Sequence, residues 1–167
     1  MPLKLRLPFW LAVLAALAAA VAYALTFADI AYHPTLFLLP LLFLVWFLVL
    51  QQWRRVPRRN LMSEIFGDIP RWMKGAAAAL LLFVFTNCFA CFALNSFASP
   101  QVLPDGRAVL RQQGQVVREL TTVEYRHAQA VQLRMMSGFF VGCFGLAALL
   151  AETCWIKNGP AMADRKL

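Results

Sequence analysis

The segment "TNCFACF", residues 86–92, sets Cys88 and Cys91 three positions apart, so that on a helix they share one face. In a dithiol enzyme this spacing lets two sulfurs exchange electrons through a disulfide, and with two further ligands it binds zinc. Both chemistries need a thiolate, and the surrounding run of phenylalanine and alanine offers no cation to hold one. Counted from Gly75, the pair stands roughly 20–24 Å along a helix that rises 1.5 Å per residue, and Cys143 reaches a similar level on a later segment. Cys154 belongs at the far end of that later segment, which leaves three thiols where a structural zinc needs four ligands. Cys88, Cys91 and Cys143 therefore stand as redox candidates, and small, polarizable packing is the role expected of them.

Glu124-x-x-His127 puts a carboxylate and an imidazole on one helical face, which is half of a carboxylate-bridged di-metal site. The full site needs the motif twice and two more glutamates, and the chain carries it once. His33 with His127 is the other candidate metal or haem-edge pair; a solvated Glu–His pair is the expectation, with no metal and no cofactor. Gly138-x-x-x-Gly142, followed by Gly145, lets helices approach backbone to backbone, within the chain in preference to a dimer seam. Serine-hydrolase, nucleotide-binding and zinc-protease motifs do not occur.

The elements that carry these residues are set by composition. Of 167 residues, 61% are hydrophobic and 14% charged, against about 45–50% and about 25% in soluble domains. A bilayer core of ~30 Å takes about 20 apolar residues, and four such spans fit, at about 7–28, 35–53, 75–98 and 135–156. The expected class is an all-α membrane protein, a four-transmembrane-helix bundle. Trp10, Trp53, Trp72 and Trp155 fall at one face if the chain alternates direction, as interfacial tryptophans do. Cleavage of the first span as a signal peptide is the lesser reading, because its uncharged run exceeds the usual ~7–15 residues.

Lysine and arginine concentrate on the tryptophan side, most densely at Arg54, Arg55, Arg58 and Arg59, so both termini are expected in the cytoplasm. That asymmetry accounts for the net charge of +8, and the partner it implies is anionic lipid headgroups, not nucleic acid. Within the inner loop, 54–74, Leu61, Met62, Ile65, Phe66 and Ile69 line one face of a short surface helix. Pro40 is expected to kink or loosen the outer turn of span two.

The outer segment 99–134 predicts a small extracytoplasmic β-hairpin about "QQGQ" and a helical stalk. Thr121 and Glu124 form a capping box, and no Pro or Gly interrupts the sequence until Gly138. One helix can therefore run from Thr122 to Ala151, about 45 Å, extending the fourth span beyond the membrane.

Size and topology resemble the membrane quinone reductases that make periplasmic disulfides. That family carries a cysteine pair in each outer loop, and neither outer loop here contains cysteine. No ionisable residue lies deep in a span, which argues against ion-coupled transport. The expected function is that of a small bacterial inner-membrane protein of non-catalytic type acting through protein–protein interaction, as an accessory subunit, envelope factor or immunity-type protein, or as a homo-oligomer. A membrane thiol/quinone oxidoreductase using Cys88 and Cys91 is the alternative, and an oligomeric small-molecule carrier or channel the second. Bacterial origin is inferred from twelve arginines against four lysines and abundant alanine.

Overall fold

The computed structural model describes residues 3–31, 33–53, 69–95 and 98–163, with side chains for 6–31, 34–53, 69–95 and 98–156. The chain is mostly helical: α1 (Leu3–Leu25), α2 (Leu38–Trp53), α3 (Arg71–Leu94) and α4 (Thr122–Ala163). Four helical stretches, Arg6–Ala28, Pro34–Trp53 with its 3₁₀ entry, Arg71–Leu94 and Thr122–Ile156, are long and apolar enough to cross a membrane. Between α3 and α4 lies a three-stranded antiparallel sheet, β1 (Ser99–Val102), β2 (Ala108–Gln112) and β3 (Gln115–Glu119), in the order β1-β2-β3.

The expected boundaries shift at the third and fourth helices. α3 starts at Arg71, four residues before the uncharged run, because Pro70 precedes it and fits a helix start. α4 is continuous from Thr122 through the apolar stretch to Ala163. Pro40 lies in the first turn of α2, after a 3₁₀ segment over His33–Phe37. Proline lacks the N–H of an i→i−4 bond, and a 3₁₀ entry avoids the α-helical bond it would have made.

The helices do not close into a symmetrical bundle of four. The main core joins three of them: Ala12, Ala15 and Ala19 of α1, Val45 and Val49 of α2, and Phe140, Phe144 and Ala147 of α4. Alanines on α1 let its backbone come close while the two phenylalanines of α4 fill the space between. Trp53, at the end of α2, donates its indole N–H to the Leu150 carbonyl at 3.3 Å. On the other side of α4 lies α3, which contributes no residue to that core.

Glycines set the α3–α4 seam. A Cβ added to Gly142 would overlap the Val84 side chain, one on Gly138 the Asn87 amide, and one on Gly145 would stand 2.8 Å from Leu80 Cδ1. Asn87 uses the space at Gly138 to donate to the carbonyls of Arg134 at 3.4 Å and Met135 at 3.3 Å.

The sheet rests on the first turns of α4, where Leu110, Leu120 and Ala128 form a second buried cluster. Gln113 and Gly114, with φ of 49° and 87°, make the two-residue β2–β3 turn, the left-handed geometry that matches strand twist. Replacing Gly142 with leucine should lower the unfolding temperature in detergent, at an overpacking cost of about 1–3 kcal/mol. Gly75→Leu, where a Cβ meets nothing within 4 Å, should leave it unchanged.

Candidate interaction site at the sheet end

The sheet end of the molecule is built by short polar ties between elements. Thr121 and Glu124 form the expected capping box: the Thr121 N–H donates to Glu124 Oε2 at 2.8 Å, and the Glu124 N–H to Thr121 Oγ1 at 3.3 Å. Arg118 of β3 reaches Glu124 at 3.2 Å, so the cap also holds the sheet to the helix. Arg107 bridges Asp105 at 2.8 Å and Glu119 at 2.6 Å. His127 Nδ1 lies 2.8 Å from Asp29, the residue that ends the turn after α1 in left-handed conformation with φ 54°.

This arrangement separates the residues of the Glu124-x-x-His127 motif: the glutamate faces Thr121 and Arg118, the histidine faces Asp29. Among the described residues no group of three metal-ligating side chains is present. The side chain of His33 and residues 54–68, with Arg54, Arg55, Arg58, Arg59 and most of the expected surface helix, lie outside the described residues.

Below the sheet, α3 and α1 are tied to α4 by groups that the sequence places at helix ends. Asn95 donates to the Ala128 carbonyl at 3.2 Å. Arg134 donates from Nη2 to the Thr26 carbonyl at 2.9 Å and from Nε to Thr26 Oγ1 at 3.2 Å, and its guanidinium lies 4.0 Å from the Phe27 ring centroid. A cation on exposed C-terminal carbonyls complements the negative end of α1.

Arg134 of α4 presents its backbone carbonyl to Asn87 Nδ2 at 3.4 Å, and Asn87 stands one turn before Cys91 on α3. None of the four cysteines forms a disulfide. The Cys91 thiol faces the Asn87 amide oxygen at 3.8 Å, and Cys91 lines a cleft of about 220 Å³ with Asn95, Arg111 and Gln132.

The feature that sequence reading missed is the sheet edge. β3 pairs with β2 on one side, through Val109–Glu119, Leu110–Arg118 and Arg111–Val116, and among the described residues its other side pairs with no strand. All five of its residues are exposed, including Val116 at 50% and Val117 at 58%. Beside it opens a cleft of about 620 Å³ lined by Leu94, Leu110, Val117, Val123 and His127. "QVVRE" was legible as a strand; that it becomes an edge depends on β1, whose "SPQV" gives no alternating signal.

No family model, no curated protein and no solved structure matches the chain.

Asp105 carries the pH response of the turn before β2. The Arg107 backbone N–H, at 3.1 Å, and then its guanidinium hold the Asp105 carboxyl below its ordinary value. The folded value being the lower one, this stabilisation is complete above the unfolded carboxylate pKa and fades as pH falls through the folded one. Amide exchange at Gly106 and Arg107 should accelerate in acid below the ordinary aspartate range, and Asp105→Asn should give that faster exchange already at neutral pH.

Proposed function

We propose that this protein is a four-pass protein of the bacterial inner membrane, both termini cytoplasmic, that acts without catalysis by binding another protein at its outer sheet. The observation that carries the reading is β3, a strand edge unpaired among the described residues, with exposed valines beside a cleft that combines apolar and charged side chains. An unpaired edge is a template for strand addition: an extended segment supplies main-chain hydrogen bonds, and adjacent pockets select its side chains. The charges that could blunt this edge are already engaged within the chain, Arg118 with Glu124 and Glu119 with Arg107.

The occupant is an extended segment of an extracytoplasmic protein that joins β3 as a fourth strand, with apolar side chains toward Leu110 and Val117. The positive-inside distribution of lysine and arginine supports the orientation, and the four apolar helices support insertion. Anionic headgroups are the lipid partner proposed for the basic residues of the inner loop.

In living cells, photoreactive residues at Val116 and Glu119 should crosslink to one partner. Val117→Pro, which removes a backbone donor from β3, should reduce the adduct about tenfold while leaving the melting temperature within a few degrees. A monomer that crosslinks to nothing through residues 105–134, or an adduct indifferent to Val117→Pro, sinks the reading.

A second reading, thiol/quinone redox chemistry at Cys88 and Cys91, is supported by the cleft that Cys91 lines. It requires a reversible change in the number of alkylatable thiols when intact cells are treated with oxidant and reductant. Full alkylation under both conditions, with a functional cysteine-free variant, removes it.

A further inference from the structure

We propose that the groove between α1 and α3, at the end remote from the sheet, binds one phospholipid whose headgroup carries both a phosphate and a primary ammonium. The proposal rests on the reading of the apolar helices as membrane spans, and it is independent of the sheet's partner.

The groove follows from the three-helix core. α3 lies apart from that core, on α4, and α1 and α3 meet through the rings of Tyr23 and Phe83, 5.7 Å apart. Toward the α1 N-terminus the two helices leave a groove of about 760 Å³, with Gly145 and Ala148 of α4 as floor and Phe9, Ala76 and Ala79 as walls. Small residues line it as an open groove, and Arg6, Trp72 and Glu152 stand at its mouth.

Three features choose the occupant. The floor from Gly145 to Glu152 spans seven helical steps, about 10 Å at 1.5 Å per residue. A transmembrane helix needs a seam of ~30 Å, and the Tyr23–Phe83 contact closes this one partway. An object that enters from one interface and ends within one leaflet is an acyl chain. The walls are almost wholly apolar, so the interior offers little for a polar solute to bond.

The mouth decides the headgroup. Arg6 and Glu152 line the same opening, yet neither forms an ion pair with the other or with any described residue. Instead the Arg6 guanidinium lies over the Trp155 ring, 4.9 Å from its centroid, which keeps its N–H donors at the opening. A phosphate fits Arg6 and an ammonium fits Glu152. A purely anionic headgroup leaves the Glu152 carboxylate as a repulsive neighbour, and a quaternary ammonium has no N–H to donate to it. Arg71 and Lys74 begin α3 nearby but do not line the groove.

The test uses the full chain, purified in mild detergent and mixed with phosphatidylethanolamine, phosphatidylglycerol or phosphatidylcholine of identical acyl chains, with retained lipid counted by native mass spectrometry. Phosphatidylethanolamine should be retained about fivefold over either of the others, the scale of one partly exposed charge contact. Glu152→Gln should abolish that preference, and Arg6→Gln should lower retention of all three lipids. Ala79→Phe, at an exposed position outside the core, should fill the groove and lower retention of every lipid; Ala76→Phe is the second filling variant, each checked by melting temperature.

Equal retention of the three lipids by the parent chain overturns the headgroup assignment, and undiminished retention in folded variants with a filled groove overturns the site. A protein chain crosslinked from position 79 in cells also overturns it, in favour of a helical occupant. Release of the chain from membranes by alkaline carbonate marks failure of the membrane reading itself, which none of the lipid outcomes imitates.

Discussion

In a hydrocarbon medium, two apolar helices gain little by leaving lipid for one another, so their association depends on how closely they approach. In this protein the approach of α3 to α4 is set by Gly138, Gly142 and Gly145, each opposite a side chain of α3 that occupies the space where a Cβ would be. The position of α3 fixes much else. It brings Asn87 within reach of two α4 carbonyls and Asn95 within reach of a third. It also draws α3 away from the core that α1 and α2 share with α4, and the space left over is the groove.

Polar groups sit at the helix ends nearest the sheet, and each is engaged. Arg134 meets the Thr26 carbonyl in the turn after α1 and stacks on Phe27; Asp29 meets His127. No buried side-chain polar atom among the described residues lacks a partner. A guanidinium at a helix C-terminus is less costly than one in open hydrocarbon, because peptide carbonyls replace the water it loses. The same ties hold the turn after α1, the end of α3 and the sheet to one stretch of α4, so the exposed edge of β3 is presented on a fixed support.

Much of this was legible in the residues. Uncharged runs locate the four long helices, Thr121 and Glu124 the start of α4, and Gln113-Gly114 the β2–β3 turn, because each signal is local. The third strand was not legible: Pro100 sits in it, opposite Leu110, as an edge strand allows, and four residues of "SPQV" show no period. Nor could sequence separate a closed bundle of four from three helices and a companion. The pattern "SGFFVGCFG" says that something approaches α4 closely, not that it is α3 alone. The meeting of Arg134 with Thr26 and of Arg6 with the groove was invisible for the same reason, since each joins segments far apart in the chain.

α4 carries both ends of the molecule. Its 42 residues rise about 63 Å as one helix, and it meets Leu110 and Leu120 through Ala128 at one end while forming the groove floor with Gly145 and Ala148 at the other. The hydrogen-bonded turns of a helix resist bending and twisting, so the sheet and the groove share one stiff support. In mechanical terms α4 is a strut clamped along its middle by the three-helix core.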